Sequence, residues 1–481
     1  MSSIMFQGTG SNVGKSIIVA GLCRVAKRRG ISVAPFKPQN MSNNAAVTQD
    51  NKEIGRAQAF QCFASGINPH SDVNPILLKP ESNSVTQIIV NGNLYKTINA
   101  KEYLDVKKEL LTPVLESFNS LKKKYDLILV EGAGSPAEIN LRKNDIANMG
   151  FANAVNIPVI LIGDIERGGV IAQILGTQRI LSRKDLSNIV GFIINKFRGD
   201  PELFFDGYNY INKKTSWPGL GIIPWFTKCN DFPAEDSYEI KSSEKPNSLK
   251  VVCLCLPRIS NYDDLDPLSQ EKNVSLKMLK TGEAIPGDTR LVIIPGSKST
   301  IEDLTFIREQ KWDIDLLAHL NRGNFILGIC AGYQMLGKSI DNSLGQEGKP
   351  SIVEGLKILD TNTVLTAKKT LTRVSAKHIA TGIDFEGYEI HIGQTVGNDC
   401  NQPFATVNNK NEGAVSKNGL VMGSYLHGMF ENNKFRSNFL KKIGFESSNL
   451  DYSKNVDQSL NDFADFLEEN LNVSEIFDKA F

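Results

Sequence analysis

Two short stretches bring together residue types able to do chemistry. The first is Q-G-T-G-S-N-V-G-K-S, Gln7 to Ser16. Its Gly-Lys-Ser ending is that of a phosphate-binding loop, although five residues separate Gly8 from Gly14 and Thr9 stands where a glycine is usual. Backbone N–H groups of such a turn, from Gly10 to Gly14, cradle phosphate oxygens with the following helix dipole behind them. Lys15 would neutralise the terminal phosphates of a nucleotide, and the Ser16 hydroxyl would ligate Mg²⁺. The second stretch is G-I-C-A-G-Y-Q, Gly328 to Gln334. Glycines two residues either side of Cys330 permit a sharp strand-to-helix elbow. That geometry sets the thiol at a helix N-terminus, where its pKa falls and its thiolate is exposed.

A thiol nucleophile needs a base, and the chain has five histidines. His427, in G-S-Y-L-H-G-M-F, follows the apolar run Leu420–Tyr425 at a strand end. His391, in G-Y-E-I-H-I-G-Q-T, is the alternative base, better suited to a structural or substrate-facing role. His70, His319 and His378 have no motif around them. Around the first stretch, Glu131 closes the buried run in Y-D-L-I-L-V-E-G-A-G, where a carboxylate belongs beside Mg²⁺. Buried there without a metal it would be a costly charge. Asp50, in T-Q-D-N-K-E, is a candidate second Mg²⁺ ligand. Lys37, in P-F-K-P-Q-N, follows the second strand and could stabilise charge on a transferred phosphoryl group. Asp164, in L-I-G-D-I-E-R-G-G-V, ends a strand at the edge where α/β sheets bind ligands.

The elements that must position these residues are legible as apolar runs bounded by turns. Ile4–Gln7, Ser32–Phe36, Leu127–Val130, Val159–Ile162, Ile189–Ile194 and Gly221–Pro224 read as parallel strands covered on both faces. Val251–Leu256, Leu291–Pro295, Phe325–Ile329 and Val421–Ser424 form a second set. Alternation with helical stretches such as Ile17–Arg28 predicts an α/β class of two tandem doubly wound domains. Residues 1–236 form the first domain and 251–445 the second, joined by a polar linker at 237–250 and followed by a helical tail at 446–481.

The 481 residues are 41% hydrophobic and 22% charged with a formal net charge of +1, which gives no reason to expect nucleic acid or a membrane surface as partner. Seven scattered cysteines form neither a disulfide framework nor a zinc spacing, and Cys253 and Cys255 read as part of a buried strand. No leader or membrane span is apparent, and a cytoplasmic location is expected.

The first loop lacks the extra lysine of ParA-like ATPases, whose position is Gly10, and resembles instead that of dethiobiotin synthetase, which begins G-T and ends V-G-K. That resemblance implies activation of a carboxylate by ATP as an acyl phosphate, and it makes Asn195, in G-F-I-I-N-K-F-R, the reader of the adenine edge. The cysteine elbow resembles class I glutamine amidotransferases of the triad type, which release ammonia from L-glutamine through a glutamyl thioester. It implies His427 as base and, from the loop I-I-P-G-S-K-S-T, the backbone N–H groups of Ser297 and Ala331 as oxyanion donors. The family's Glu two residues after the histidine is replaced by Met429, and Glu431 is out of register, so no third triad member is assigned.

Through both motifs and through P-F-K-P-Q-N-M-S-N-N, E-I-G-R-A-Q, D-I-E-R-G-G-V, I-N-K-F-R-G-D, P-R-I-S-N and G-Y-E-I-H-I-G, the chain resembles the cobyric acid synthase family over nearly its whole length. The resemblance implies amidation of carboxylates b, d, e and g of a corrinoid, adenosylcobyrinic acid a,c-diamide. Gln39–Asn44 and Arg167–Gly169 then become candidate contacts to the corrinoid or the acyl phosphate, with Glu166 where the family's Asp is expected. The rivals are the paralogous a,c-diamide synthase and a non-catalytic P-loop partitioning or regulatory protein.

Overall fold

A computed structural model of the chain describes residues 2–81, 85–99, 102–233, 242, 245, 246 and 248–480. Most of the linker expected at 237–250 lies outside the described residues. The chain divides into two compact units. One comprises Met1–Ser42, Thr48–Phe232 and Val456–Phe481, the other Asn43–Val47 and Pro233–Asn455.

The first unit is built on a six-stranded parallel sheet. Its order is Gly219–Pro224, Ile189–Phe197, Val159–Asp164, Ser2–Gly8, Leu127–Glu131 and Val33–Phe36. All six runs anticipated as strands are present. Their continuous apolar character follows from helices packed on both faces, since a parallel sheet leaves neither face to water. The register sets Phe6 beside Glu131 and Asp164 beside Asn195, which brings those polar residues to the C-terminal edge of the sheet. A four-stranded sheet holding Gln39–Met41, Ile76–Pro80, Val85–Val90 and Asn93–Asn99 is appended.

The helix Lys15–Arg28 buries Ile18, Val19, Leu22 and Val25, and its basic last turn suits the helix dipole. Its outer side receives the end of the chain: a Cβ added at Gly21 would lie 2.5 Å from Leu467 and 2.7 Å from Phe463. Arg24 pairs with Asp457 at 2.8 Å and Arg29 with Glu468 at 2.8 Å. Leu460, Phe463, Ala464 and Leu467 thus belong to the first unit's core.

The second unit holds a six-stranded sheet in the order Val274–Leu279, Leu249–Leu254, Leu291–Ile294, Phe325–Ile329, Val421–Ser424 and Ala414–Val415. All pairs are parallel but the last. Beside it lies a seven-stranded, largely antiparallel sheet absent from the runs picked out in the sequence. Its long strands Thr361–His378 and Asp384–Gly397 alternate buried and exposed residues, so they carry no continuous apolar signal. A short final strand, Leu426–His427, pairs Tyr388 with His427 and so hangs the histidine on this sheet's edge.

The turn after His427 is tied down by a buried ion pair. Arg436 donates to Glu271 Oε1 at 2.7 Å and to the carbonyls of Phe430 (2.7 Å) and Leu450, while Glu271 also accepts from Ser448 N at 2.8 Å. Neither charge is exposed to solvent. Removing one partner strands the other, so Arg436→Met is expected to cost about 3–5 kcal/mol, read as a lower urea midpoint for the second unit. An unchanged midpoint would show that Glu271 is satisfied without Arg436.

Candidate active sites

The phosphate-loop residues of the first unit sit where the strand Ser2–Gly8 gives way to the helix Lys15–Arg28. Gly14 takes a left-handed conformation, with φ at 94°, and a Cβ there would lie 2.3 Å from Asn195 Nδ2. At Gly8 a Cβ would come within 2.9 Å of Lys15 Nζ. These positions need glycine because the backbone passes too close to its neighbours for a side chain. Lys15 Nζ donates to the carbonyls of Gly10 (3.0 Å) and Gly134 (3.2 Å), which holds the ammonium against the loop. Asn195 Nδ2 donates to Val13 O at 2.8 Å, so the side chain given an adenine-reading role also braces the loop.

Ser16 and Glu131 meet: Ser16 Oγ donates to Glu131 Oε1 at 2.8 Å. Lys37 Nζ reaches the same oxygen at 2.7 Å, and Gln61 Nε2 reaches Oε2 at 2.7 Å. Burial opposes a charge on Glu131, but the Lys37 ammonium and the Gln61 and Ser16 donors hold its carboxyl below the usual carboxylate range. Asp50 is not joined to this group by any hydrogen bond or ion pair. Its carboxylate accepts from Thr48 Oγ1 at 2.6 Å and pairs with Lys52 at 3.4 Å within a local turn. Asp164 pairs with Lys196 at 3.0 Å. Among the described residues no group of three or more His, Cys, Asp or Glu gathers to cage a metal. A hydroxyl and a carboxylate in contact are nevertheless the hard oxygen donors that suit Mg²⁺.

In the second unit, Cys330 occupies the turn between the strand Phe325–Ile329 and the helix Ala331–Leu336, at φ 54° and ψ −111°. That backbone is strained for any residue with a side chain. Gly332 makes it feasible, since a Cβ there would lie 2.0 Å from Ile294 O. The elbow is pinned by Cys330 N–H to Ser424 O at 2.8 Å and by Gln334 Nε2 to Ile392 O at 2.8 Å. Cys330 Sγ lies 3.5 Å from Ile390 O.

His427 is buried, and its Nδ1 lies 2.7 Å from Asp264 Oδ2. Asp264 Oδ1 also accepts from Gly428 N at 2.6 Å, which fixes the carboxylate in place. The ring of Tyr388 stacks on the imidazole with centroids 5.1 Å apart, and its hydroxyl donates to Asp263 at 3.3 Å. Burial alone would push the imidazole down, but the Asp264 carboxylate and then the Cys330 sulfur carry it up to about 10. Nε2 lacks a well-formed hydrogen bond, leaving it available on the side that Cys330 influences. His391, by contrast, is pushed down to about 4 by burial and by His427, and its ring stacks on Tyr425.

The loop carrying Ser297 is locked from behind. Ser297 Oγ donates to Asp303 Oδ2 at 2.6 Å, while Ser260 N–H donates to Gly296 O and Lys298 N–H to Arg258 O, both at 2.9 Å. Those two bonds flank the Ile259–Ser297 bridge and leave the Ser297 N–H turned away from it. Ala331 is the first residue of its helix, so its N–H has no carbonyl one turn earlier to bond.

Three participants were missed in the sequence. Asp264 sits in N-Y-D-D-L-D-P-L, where all three acidic residues are buried. Carboxylates amid apolar residues are the signal that could have found it. Gln61, on the helix Arg56–Ser65, and Asp303, on Thr300–Glu309, carry no comparable signal.

Two family models match the chain. Residues 4–240 match the CobQ/CobB/MinD/ParA nucleotide binding domain, and residues 250–435 match the CobB/CobQ-like glutamine amidotransferase domain. The chain is therefore of the class that joins a nucleotide-binding domain to a glutamine amidotransferase. It is 55% identical over 476 residues to the cobyric acid synthase of Jannaschia sp. (strain CCS1), covering 99% of each chain. Those of Bradyrhizobium diazoefficiens (54% over 478 residues) and Rhodobacter capsulatus (55% over 476 residues) are covered to the same extent. The chain belongs to the cobyric acid synthase family.

The His427–Asp264 pair yields a pH prediction. A raised imidazole pKa keeps His427 charged at neutral pH, which favours the Cys330 thiolate. Asp264→Asn removes the carboxylate, lowers the imidazole pKa and so moves the onset of Cys330 alkylation by iodoacetamide to higher pH. Glutamine hydrolysis should fall by about 10²- to 10⁴-fold. An unshifted alkylation profile, read on the Cys330 peptide by mass spectrometry, would remove Asp264 from the triad.

Proposed function

We propose that the chain amidates carboxylates b, d, e and g of adenosylcobyrinic acid a,c-diamide, using glutamine as nitrogen source and ATP with Mg²⁺ to activate each carboxylate. The observation that carries this reading is the Cys330–His427–Asp264 arrangement on the same chain as the Lys15–Ser16 loop. When bound, Mg-ATP supplies the phosphoryl group that makes a corrinoid carboxylate reactive as an acyl phosphate. The Gly10–Gly14 backbone and Lys15 would hold the phosphates, Ser16 and Glu131 would hold the metal, and Lys37 would offset charge beside them. Asp50 would have to leave its Thr48–Lys52 turn to join them. Asn195 borders the nucleotide site through Gly14.

At the thiol site, the Cys330 thiolate attacks the side-chain amide carbon of glutamine. Ser297 and Ala331 N–H groups receive the oxyanion, and the His427 imidazolium gives its proton to the departing ammonia. Water then attacks the thioester with neutral His427 taking its proton, which returns glutamate and the thiolate. Ammonia displaces phosphate from the acyl phosphate to give the amide. The corrinoid and glutamine are the partners. No helix among the described residues is long and apolar enough to cross a membrane, and the reading is of a cytoplasmic enzyme.

Incubation with the a,c-diamide, glutamine and Mg-ATP should give four successive carboxyl-to-amide mass shifts. Amidation of cobyrinic acid alone would favour the paralogous a,c-diamide synthase reaction. Cys330→Ala is expected to abolish glutamine-dependent synthesis while keeping synthesis from added ammonia, and Lys15→Ala to do the converse, retaining glutamine hydrolysis. Loss of ammonia-dependent synthesis in Cys330→Ala would contradict the division of labour.

A further inference from the structure

The chain changes sheets just before His427. Val421–Ser424 is a strand of the six-stranded sheet, with Ser424 in register with Ile329, whereas Leu426–His427 pairs with Tyr388 and Glu389 in the seven-stranded sheet. A backbone that crosses from one ladder to another needs new partners for its N–H groups. Here they find side chains. Glu412 Oε1 accepts from Tyr425 N–H at 2.6 Å and Glu412 Oε2 from Ser424 Oγ at 2.8 Å, while Leu426 N–H donates to Ser424 Oγ at 3.1 Å.

Both reacting groups depend on this crossing. At its start, Ser424 O accepts the Cys330 N–H at 2.8 Å, the bond that pins the strained elbow. At its end stands His427, whose Nδ1 meets Asp264 Oδ2 at 2.7 Å. Between them, the Tyr425 hydroxyl accepts from Gln334 Nε2 at 3.2 Å and so ties the crossing to the helix that follows Cys330. A displacement of Ser424–Leu426 therefore moves the thiol and the imidazole relative to each other.

Glu412 is itself held on both sides. It ends the strand Lys410–Glu412, in register with Ala405, and the next residue lies close against the crossing strand: a Cβ at Gly413 would come 2.4 Å from Gly423 O. Ala414 then pairs with Gly423. The carboxyl is buried, and among the described residues no cation pairs with it. Burial, and after it the Glu389 carboxylate, pushes it up to about 8. At that value it is mostly neutral near pH 7, so an amide of the same shape can stand in for it.

We propose that Glu412 is a positioning residue for glutamine hydrolysis: by holding Ser424–Leu426 it sets how the Cys330 thiol and the His427 imidazole face each other. It acts through Ser424 and Tyr425 rather than on the reacting atoms. The inference rests on the reading of Cys330 and His427 as the glutamine-hydrolysing pair.

The test is steady-state glutamine hydrolysis by the full chain, with ammonia-dependent amidation of the a,c-diamide measured alongside. Glu412→Ala should lower kcat about 10- to 100-fold, the scale of a misplacement near 1 Å, with KM for glutamine within about twofold of native. Glu412→Gln, which keeps a carbonyl for the Tyr425 N–H, should recover most of the rate. Ser424→Ala cuts the same link but keeps the carbonyl that Cys330 uses. It should lower kcat in the same way, and it carries the test where Glu412→Ala does not fold. Because the two side chains form one link, the double variant should be no slower than the slower single variant. Native kcat in Glu412→Ala or Ser424→Ala would overturn the proposal, as would multiplied losses in the double variant, a loss borne by KM, or no recovery in Glu412→Gln. An equal fall in ammonia-dependent amidation would mark a general loss of folding and overturn it too. A native chain that releases no ammonia from glutamine would overturn the reading of the thiol site, and this inference with it.

Discussion

The second unit is organised around one demand, that a charged imidazole be kept buried. His427 is almost fully buried, and the Asp264 carboxylate at 2.7 Å, helped by the Cys330 sulfur, makes its charge tolerable there. Asp264 is in turn held by the Gly428 N–H, so donor and acceptor lie on chain segments far apart in sequence. The strand ending at His427 must therefore arrive beside the turn Tyr262–Leu265, and both must face an elbow grown from a third strand. The C-terminal edge of the parallel sheet, where Phe325–Ile329 and Val421–Ser424 end side by side, is what lets these segments meet. Buried Glu412 reinforces the approach to His427, accepting from Ser424 Oγ at 2.8 Å and Tyr425 N at 2.6 Å.

The first unit meets a similar demand with opposite sign. Its buried charge is the carboxylate of Glu131, and three donors from three segments converge on it: Ser16, Lys37 and Gln61. The strained turn at Cys330 and the close backbone at Gly14 are the local costs of these arrangements. Each is met by removing side chains from the neighbourhood, Gly332 in one case and Gly14 itself in the other.

Legibility in the sequence followed the physics of each element. Parallel strands covered on both faces read as unbroken apolar runs, so ten of the eleven in the two six-stranded sheets were visible, as were the two glycine-framed motifs on their ends; Val274–Leu279, an edge strand broken by Ser275 and Lys277, was not. The long antiparallel hairpin Thr361–Gly397 alternates its faces and is interrupted by a register shift after Val364, which hid it among polar loops. Cys330 and His427 are tied to local backbone geometry and so leave a local signature. Asp264 has no such signature, because its role is set by a partner that only folding brings near. The same holds for Gln61. Asn43 and Asn44 were visible as the end of a motif, but that the following Ala45 and Val47 seat on Tyr388 and Ile390 is a tertiary fact.

The placement of residues after Val456 bears on how the protein is made. Phe463 and Leu467 fill the space that Gly21 leaves open on the first helix, and they share one core with Ile18 and Leu22. During synthesis, the helix Lys15–Arg28 would wait for the residues after Val456. The apolar side of Lys15–Arg28 stays uncovered on the ribosome while the entire second unit is translated and folded. Strictly sequential folding is then closed to the first unit, whose packing is completed only after the second unit has been translated. A chain stopped short of these residues would carry a complete phosphate loop on a helix whose outer side was never sealed.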